Sequence, residues 1–243
     1  MTKVIGATEE ADMYIRKLAK SLGYFVIRLS DFGKKNAPLD LAGDRYLEWA
    51  WMVAHLPDNP GAVMDFGCGD AFLGLTAAIR GGNVVGFDRK PSRLPYCMEN
   101  LTIQAGDILD FDFKEVQFDI IMNCSSIEHV GLPGRYDSTN VPDGDLVGMD
   151  RLRKLLRQPD GAMLLTLPVG QDSVFSPFHR VYGVRRLDLL LKGFHVIQQE
   201  FWTKRPDRNE WISVGKEEAL TTQASSSFYA LGFFILKPDI SQF

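Results

Sequence analysis

The sequence lacks the features that mark secreted, membrane-spanning and zinc-finger proteins. Its 243 residues contain only three cysteines, at positions 68, 97 and 124, and this odd, scattered set disfavours a disulfide framework or a paired metal motif. No apolar run approaches the roughly 18 residues that a membrane span needs. Acidic residues at positions 9, 10 and 12 stand where a secretory signal would carry its apolar core. We therefore expect a cytoplasmic protein without a membrane partner.

The sequence also has no excess of positive charge. The chain has 27 lysines and arginines against 31 aspartates and glutamates, which gives a formal net charge of −4 at pH 7. Nonspecific nucleic-acid binding needs a cationic surplus that displaces counterions, so nucleic acid is a disfavoured partner. With 45% hydrophobic and 24% charged residues, the composition is typical of a soluble globular protein.

The apolar pattern predicts a largely helical N-terminal extension over residues 1–37, followed by one domain over residues 38–243. Within the domain, a helix after Pro38 precedes short apolar strands that alternate with helices. The predicted strands are residues 62–66, 84–88, 101–104, 118–123, 162–168, 195–201 and 228–236, and the predicted helices among them are 71–80, 146–157 and 184–191. This alternation predicts an α/β fold with a seven-stranded, mainly parallel sheet, an antiparallel last strand and helices on both faces.

The most informative local pattern is a glycine turn flanked by acids. The first strand ends at Asp65, and a G-x-G turn at 67–69 opens the following helix. Glycines there allow a sharp bend and the close approach of a ligand to the backbone. The second strand ends at Asp88, where a carboxylate is placed to accept hydrogen bonds from ribose hydroxyls. Asp107, after the third strand, is placed to accept one from an exocyclic amine.

This succession of strand, acid, G-x-G and two further acids resembles the S-adenosylmethionine (SAM) site of class I methyltransferases, which have a Rossmann-like fold. The resemblance covers roughly residues 58–236 and implies SAM as the cofactor. In that family the matches to Asp65, Gly67 and Gly69 surround the methionine part of SAM, the match to Asp88 binds the ribose, and the match to Asp107 lies beside the adenine. The resemblance predicts that the cofactor is bound by Asp65, Gly67, Cys68, Gly69, Asp88, Arg89, Asp107, Ile108 and Asn123.

Two positions after the G-x-G turn bear on which cofactor-binding family the turn resembles. Ala71 stands where the methyltransferase family often has a third glycine, and alanine is the smallest replacement. Phe72 stands where a nicotinamide-binding G-x-G-x-x-G turn needs its last glycine, so that alternative fits worse. A phosphate-binding loop is excluded because no G-K-S/T follows the turn.

The segment after the fourth predicted strand resembles one particular methyltransferase-like family. It reads N-C-S-S-I-E-H-V-G-L-P-G-R-Y-D over residues 123–137 and D-G-D-L over residues 143–146. It is similar to an uncharacterised methyltransferase-like family with a signature near S-I-E-H-x-G-L-G-R-Y-G-D, then D-G-D-L. The similarity extends to L-P-V-G at 167–170 and H-R-V-Y-G at 179–183, although Pro133 is an extra residue and the glycine after Tyr136 is missing. That family often accompanies bacterial surface-polysaccharide genes, which implies a sugar-like acceptor.

Methylation of a sugar hydroxyl needs alignment of the acceptor with the methyl carbon and a base for the hydroxyl proton. Histidine suits the second task because its ordinary pKa, about 6.5, lies near physiological pH. We predict His129 as the base, with Glu128 orienting it or binding acceptor hydroxyls, and His179 as the alternative base. Substrate contacts are predicted for Ser125, Ser126, Arg135, Tyr136 and Arg180.

A divalent metal is a separate alternative. Some methyltransferases with hydroxyl acceptors hold a cation with E-x-x-E-H and a distant histidine. Here Ser125 replaces the first carboxylate, which leaves Glu128, His129 and His179 as the available ligands. Two imidazoles and one carboxylate could still bind a transition metal, so a divalent metal stays an open but disfavoured alternative, and we assign no metal ligands.

Two other functions stay open. The first is a SAM-binding regulatory protein without catalysis, which the predicted base residues disfavour. The second is a methyltransferase acting on protein or nucleic acid, and methylation of base amino groups is disfavoured because N-C-S-S at 123–126 replaces the N-P-P-Y type of tetrad.

Charge is divided unevenly along the domain. Residues 58–150 contain 6 basic and 15 acidic residues, whereas residues 151–216 contain 12 basic and 6 acidic ones. The acidic half suits a cationic sulfonium cofactor. The basic half, with Arg153, Arg180, Arg185 and Arg186, favours an anionic small-molecule acceptor such as a sugar phosphate or nucleotide sugar.

Overall fold

An eight-stranded sheet forms the centre of the part of the chain that the computed structural model describes, residues 44–91, 98–134, 140–205 and 210–239. These residues all belong to one compact unit, which comprises Gly43–Pro206 and Glu210–Phe243. The ten strands within these described ranges are β1 Ala62–Phe66, β2 Asn83–Asp88, β3 Leu101–Ala105, β4 Ile120–Cys124, β5 Ala162–Val169, β6 Ser173–Phe175, β7 His179–Val181, β8 Phe194–Arg205, β9 Glu210–Ser213 and β10 Ala230–Pro238. The helices are α1 Asp44–His55, α2 Phe72–Ile79, α3 Gly144–Leu155, α4 Val184–Leu190 and α5 Lys216–Thr221, with a 3-10 turn at Ile127–His129.

The strand order in the large sheet is β3-β2-β1-β4-β5-β10-β8-β9. Strands β1 to β5 pair in parallel, whereas β10 lies antiparallel to both β5 and β8, and β9 lies antiparallel to β8. The order reverses between β1 and β4, and ligands of open α/β sheets bind at the carboxyl ends of the strands beside such a reversal. The predicted mainly parallel α/β fold with a late antiparallel strand is confirmed.

Two buried clusters cover the two faces of this sheet. Successive residues of a strand point to opposite faces, and Val63 and Met64 of β1 accordingly belong to different clusters. One cluster brings α3 and α4 against the sheet through Met149, Leu152, Leu187 and Leu190, and the other brings α1 and α2 through Trp51, Met52, Leu73 and Ala77. The prediction of helices on both faces is therefore confirmed.

The predicted number of seven strands is one short. The additional strand is β9, which pairs with residues 202–205 at the end of β8. It has four residues and is followed by the six-residue helix α5. Segments this short carry too few repeats of a two- or 3.6-residue period to stand out in the sequence. The hairpin of β6 and β7 went unpredicted for the same reason.

None of the helices in the described ranges is long and apolar enough to cross a membrane. The predicted N-terminal extension over residues 1–37 lies outside those ranges, as do the predicted substrate residues Arg135 and Tyr136.

Candidate functional site

A pocket of about 440 Å³ opens at the carboxyl ends of β1, β2, β3 and β4. This volume falls within the range of about 300–1,000 Å³ that small-molecule and cofactor sites occupy. The segments that follow these four strands supply most of its lining. Nine residues predicted from the sequence are among those that line it: Gly67, Gly69, Asp88, Arg89, Asp107, Ile108, Ser125, Ser126 and His129.

The two glycines of the turn after β1 have different surroundings. Gly67 has a φ of +70°, and a Cβ there would lie 2.1 Å from Oγ of Ser126, so only glycine fits against the segment after β4. Gly69 has a φ of +50°, and within the described chain no atom beyond its two neighbouring residues lies within 4 Å of the position of its missing Cβ. Ala71 keeps the left-handed conformation expected of the third glycine, with a φ of +53°. The turn therefore leaves bare backbone at the pocket wall.

Carboxylates at the ends of β2 and β3 form the next wall. Oδ2 of Asp88 accepts a hydrogen bond from the Gly69 amide at 3.0 Å, and Oδ1 accepts one from the Lys90 amide at 2.9 Å. Asp107 pairs with Arg89 through a contact of 2.9 Å between Oδ2 and Nη1. Each carboxylate oxygen has two lone pairs, so Asp88 retains capacity to accept bonds from a ligand's hydroxyls.

Asp65 lies behind the turn rather than in the pocket wall. It is buried, and its Oδ2 accepts a hydrogen bond from the Gly74 amide at 2.8 Å, which ties the start of α2 to β1. Burial is the largest cause that raises the pKa of Asp65 from 3.8 to about 7; the Gly74 bond opposes this rise and the Asp88 charge adds to it. The carboxyl is thus partly protonated near neutral pH.

This raised pKa makes the stability of the fold pH-dependent. The folded chain keeps the Asp65 proton up to about pH 7, whereas the unfolded chain releases it near pH 4. Raising the pH through this window favours the unfolded state by about 4 kcal/mol in total. We expect the difference in unfolding free energy between wild type and Asp65→Asn to fall by about that amount from pH 4 to pH 7.5 in urea titrations. A difference that stays constant across this range would contradict the assignment.

Cys68 and Asn123 are also buried behind the pocket wall. Burial raises the pKa of the Cys68 thiol, so it stays protonated. Both side-chain polar atoms of Asn123 lack a hydrogen-bond partner within the described residues. The structure therefore places the predicted cofactor residues in two layers, with Asp65, Cys68 and Asn123 in the inner one.

His129 ends the 3-10 turn after β4 and lines the pocket. Its Nδ1 is 2.5 Å from the carbonyl oxygen of Phe178. A carbonyl only accepts hydrogen bonds, so Nδ1 carries the proton and the neutral ring has its lone pair on Nε2. That Nε2 lies 3.6 Å from Oε1 of Glu128, whose side chain is buried. The imidazole is therefore held in the tautomer that leaves Nε2 basic, beside a carboxylate.

The other predicted base, His179, lies in β7 and is buried. Its ring packs edge-on against Tyr229, with 5.0 Å between the ring centroids. It is not among the residues that line the pocket in the described structure. His129 is thus better placed than His179 to meet an acceptor.

Arg180, predicted to contact substrate, is fully buried. Its guanidinium donates to backbone carbonyls of two segments, to that of Val130 at 2.7 Å and to that of Pro142 at 3.0 Å. Val130 precedes Gly131, and Pro142 lies two residues before Gly144. At this point the chain closes on itself, because the Val141 amide donates to the Gly131 carbonyl at 2.9 Å. A Cβ on Gly144 would lie 2.8 Å from Cα of Gly131. We call this junction of Gly131 and Gly144 the loop base. Arg180 thus holds the loop base and is not among the residues that line the pocket.

Two residues of α1 belong to the site and were missed. Arg45 lines the pocket, and its Nη1 donates to the Cys124 carbonyl at 3.1 Å. Glu48 is fully buried, and its Oε1 accepts hydrogen bonds from the hydroxyls of Ser125 and, at 2.6 Å, Thr166. It holds Ser125 in the left-handed conformation, at a φ of +42°. The signal in the sequence is a carboxylate in line with the buried stripe of Met52, four residues on.

No group of three or more histidines, cysteines, aspartates or glutamates is arranged to hold a metal ion within residues 44–91, 98–134, 140–205 and 210–239. Glu128 and His129 lie side by side. The third ligand considered, His179, sits among the rings of Phe175 and Tyr229.

Comparison with models of known families shows which family the chain belongs to. Residues 104–227, just over half of it, match the family described as "Caenorhabditis protein of unknown function, DUF268". The chain belongs to the DUF268 family. The matched region spans the segment after β4, the loop base at Gly131 and Gly144, and the β6–β7 hairpin. A second family model, described as "Methyltransferase domain", matches residues 63–138, which include the glycine turn, Asp88 and Asp107.

Solved structures similar to this DUF268 member share its fold at low sequence identity. The 1,6-didemethyltoxoflavin-N1-methyltransferase of Burkholderia thailandensis, with bound 1,6-didemethyltoxoflavin and S-adenosylhomocysteine, is 18% identical, with a TM-score of 0.53 over 92% of this chain and 90% of that one. A Listeria monocytogenes protein with a proposed SAM-dependent methyltransferase activity is 13% identical, with a TM-score of 0.51 over 79% and 97% of the two chains. The MccD protein is 11% identical, with a TM-score of 0.52 over 84% and 100%. A comparison with curated proteins gives no match.

The DUF268 chain is a SAM-dependent methyltransferase with the Rossmann-like class I fold. The pocket suits the cofactor on its own chemistry. The space beside Gly69 admits a ligand against bare backbone, and Asp88 and Asp107 offer carboxylate acceptors to ribose hydroxyls and an amine. A surplus of carboxylates around the turn is also compatible with a cationic sulfonium.

Removal of one of these carboxylates gives a direct test. We expect Asp88→Ala to weaken SAM binding about tenfold, or about 1.4 kcal/mol, because the ribose hydroxyls lose their acceptor. Asp88→Asn keeps one acceptor oxygen, for either the Gly69 or the Lys90 amide, and should lose less. Isothermal titration calorimetry measures both. Asp160→Ala, which changes an exposed carboxylate between α3 and β5, is the control. Equal affinities of Asp88→Ala and wild type would remove the residue from the cofactor site.

Proposed function

We propose that the chain transfers the methyl group of SAM to a hydroxyl of a sugar or a related small molecule, with His129 as the general base. The observation that carries this proposal is the imidazole geometry. Nδ1 of His129 donates to the Phe178 carbonyl, so the basic Nε2 belongs to a ring that lines the pocket beside buried Glu128. A neutral hydroxyl is a weak nucleophile, and acceptors of this class gain most from such a base.

The residues around the pocket divide the work of the reaction. SAM supplies a methyl group activated by its positively charged sulfur. Gly67, Gly69, Asp88 and Asp107 hold the cofactor. Nε2 of His129 takes the proton of the acceptor hydroxyl, and the Glu128 carboxylate, 3.6 Å away, stabilises the imidazolium that forms.

Alignment of the acceptor is assigned to the segment after β4. Ser125 and Ser126, four and three positions before His129 in the chain, line the same pocket as His129. The Ser125 hydroxyl donates to buried Glu48, so its oxygen lone pairs are available to accept the hydrogen bond of a second acceptor hydroxyl. Fixing the acceptor in this way converts a bimolecular step into an effectively unimolecular one.

An anionic acceptor, such as a sugar phosphate or nucleotide sugar, is the second candidate, and Arg45 and Lys90 favour it because both line the pocket. Three of the arginines named for the basic half do not provide this support. Arg153 pairs with Asp150 at 2.8 Å and Arg186 with Asp143 at 3.2 Å. Arg180 is buried against carbonyls.

Turnover with a defined set of acceptors tests the proposal. The purified chain is incubated with SAM and, separately, with neutral sugars, sugar phosphates, nucleotide sugars and a small amine. Formation of S-adenosylhomocysteine and the mass of each product are measured. Methylated sugar or nucleotide sugar supports the proposal, and the ratio of kcat/KM between charged and neutral forms of one sugar separates the two candidates. Methylation of the amine alone, as the N1-methyltransferase relative would suggest, overturns hydroxyl transfer.

A further inference from the structure

We propose that Arg180 is the residue that positions the catalytic base, through its grip on the peptide groups around His129. This inference rests on the proposed role of His129. Arg180 lies in β7, is only 1% exposed and lies 51 residues beyond His129 in the chain. It touches neither the pocket nor the imidazole ring, so its effect on the reaction is indirect.

The guanidinium of Arg180 binds the backbone on both sides of His129. Nη1 donates to the carbonyl of Glu128 at 3.2 Å and to that of Val130 at 2.7 Å. These carbonyls belong to the residues immediately before and after the base. Rotation of the His129 backbone would break at least one of the two bonds, so the direction in which the ring leaves the chain is fixed.

The hairpin that carries Arg180 also fixes the ring. The carbonyl that accepts from Nδ1 of His129 belongs to Phe178, two residues before Arg180. Backbone and side chain of His129 are therefore bound to the same short hairpin. A shift of the 3-10 turn away from this hairpin would lengthen the bond from Nδ1 to Phe178 and release the tautomer that leaves Nε2 basic.

Arg180 is itself held by the loop base on its other side. Nη2 donates to the Pro142 carbonyl at 3.0 Å and approaches that of Val141 at 3.4 Å. Nε lies 3.5 Å from Oδ1 of Asp145, a fully buried carboxylate that also accepts from the Tyr182 hydroxyl at 3.0 Å. Only the planar fork of arginine presents enough donors for this set, and the single ammonium of lysine cannot span it.

The test is Arg180→Lys, which keeps the charge and removes the fork. We expect kcat to fall about tenfold to a hundredfold, since small misplacements of a catalytic group have effects of that size, while SAM affinity by calorimetry stays at the wild-type value. In ¹⁵N NMR spectra of imidazole-labelled protein, the wild-type His129 signals should show a protonated Nδ1. The lysine variant should show a larger share of the tautomer protonated at Nε2.

Tyr182→Phe is the matched control, because it removes a hydrogen bond to Asp145 and leaves the contacts of Arg180 with the carbonyls in place. It should lower stability without changing kcat or the His129 tautomer. If the lysine variant does not fold, Arg180→Gln, which retains two N–H donors, replaces it in both measurements. Wild-type kcat in a folded Arg180 variant, or a lower kcat with an unchanged tautomer, overturns the inference.

The failure of this inference is distinguishable from failure of the proposed function. Full activity in His129→Ala removes the base itself. Loss of activity in His129→Ala, combined with wild-type kcat and tautomer in Arg180→Lys, leaves the base in place and removes only the role of Arg180. The NMR signature is measured without acceptor, so it does not depend on which substrate the enzyme uses.

Discussion

Replacement of His129 by alanine should lower kcat by about 10²–10⁴-fold, the usual contribution of a general base. Binding of SAM should not change, because the predicted cofactor residues that line the pocket stand at the ends of β1, β2 and β3. The effect should shrink as the pH rises, since a more ionised acceptor hydroxyl depends less on a base. Single-turnover rates with saturating SAM across a range of pH measure all three expectations.

Two other histidines provide controls for this experiment. His195→Ala changes an exposed residue that faces Asp239 at 3.2 Å, on the far part of the sheet, and should be as active as wild type. His179→Ala separates the two predicted bases. A greater loss of kcat in His179→Ala than in His129→Ala would reverse the assignment made from the geometry.

Loss of the Asp145 carboxylate should produce the largest effect on stability. Asp145 is fully buried and faces two arginines, with contacts to Arg186 Nε at 3.0 Å and to Arg180 Nε at 3.5 Å. Removing one partner of a buried ion pair leaves an uncompensated charge, at a cost of about 3–5 kcal/mol. This is a large fraction of the roughly 5–15 kcal/mol by which typical domains are stable. We therefore expect Asp145→Ala to lower the free energy of unfolding in urea by about 3–5 kcal/mol.

An exposed ion pair shows what an ordinary carboxylate contributes. Glu210 pairs with Arg205 at 3.4 Å, and both side chains are about half exposed. Glu210→Ala should change the free energy of unfolding by about 0–1 kcal/mol. Similar small losses in both variants would show that the Asp145 cluster is not the buried anchor that its geometry indicates.

The parallel half of the fold was predictable because its strands are short, apolar and separated by clear turns. Predicted strand 62–66 coincides with β1, and residues 84–88 fall within β2. The antiparallel half was harder, because β8 extends four residues beyond the predicted end at 201 into half-exposed residues. A strand in such a position lacks the continuous apolar run that marks a strand covered on both faces.

The residues that line the pocket were predictable where they stand at the ends of strands. Asp88 and Asp107 were found because each follows a strand, and parallel strands bring their carboxyl ends to one edge. Glu48 was not found, because its hydrogen bond to Ser125 joins residues 77 positions apart. Arg180 was assigned to substrate for the same reason, since its carbonyl partners lie 38 to 52 positions away. Sequence spacing reports neighbours within an element and says little about partners brought together by the fold.

The loop base at Gly131 and Gly144 brings the turn that carries His129 against the start of helix α3. The chain leaves and returns at nearly the same point, since a Cβ on Gly144 would collide with Cα of Gly131. Arg180 fastens both sides of this junction through Val130 and Pro142. A side chain added at Gly144, at the start of α3, would therefore push against the backbone two residues beyond His129, so a change in α3 is transmitted to the turn that carries the base.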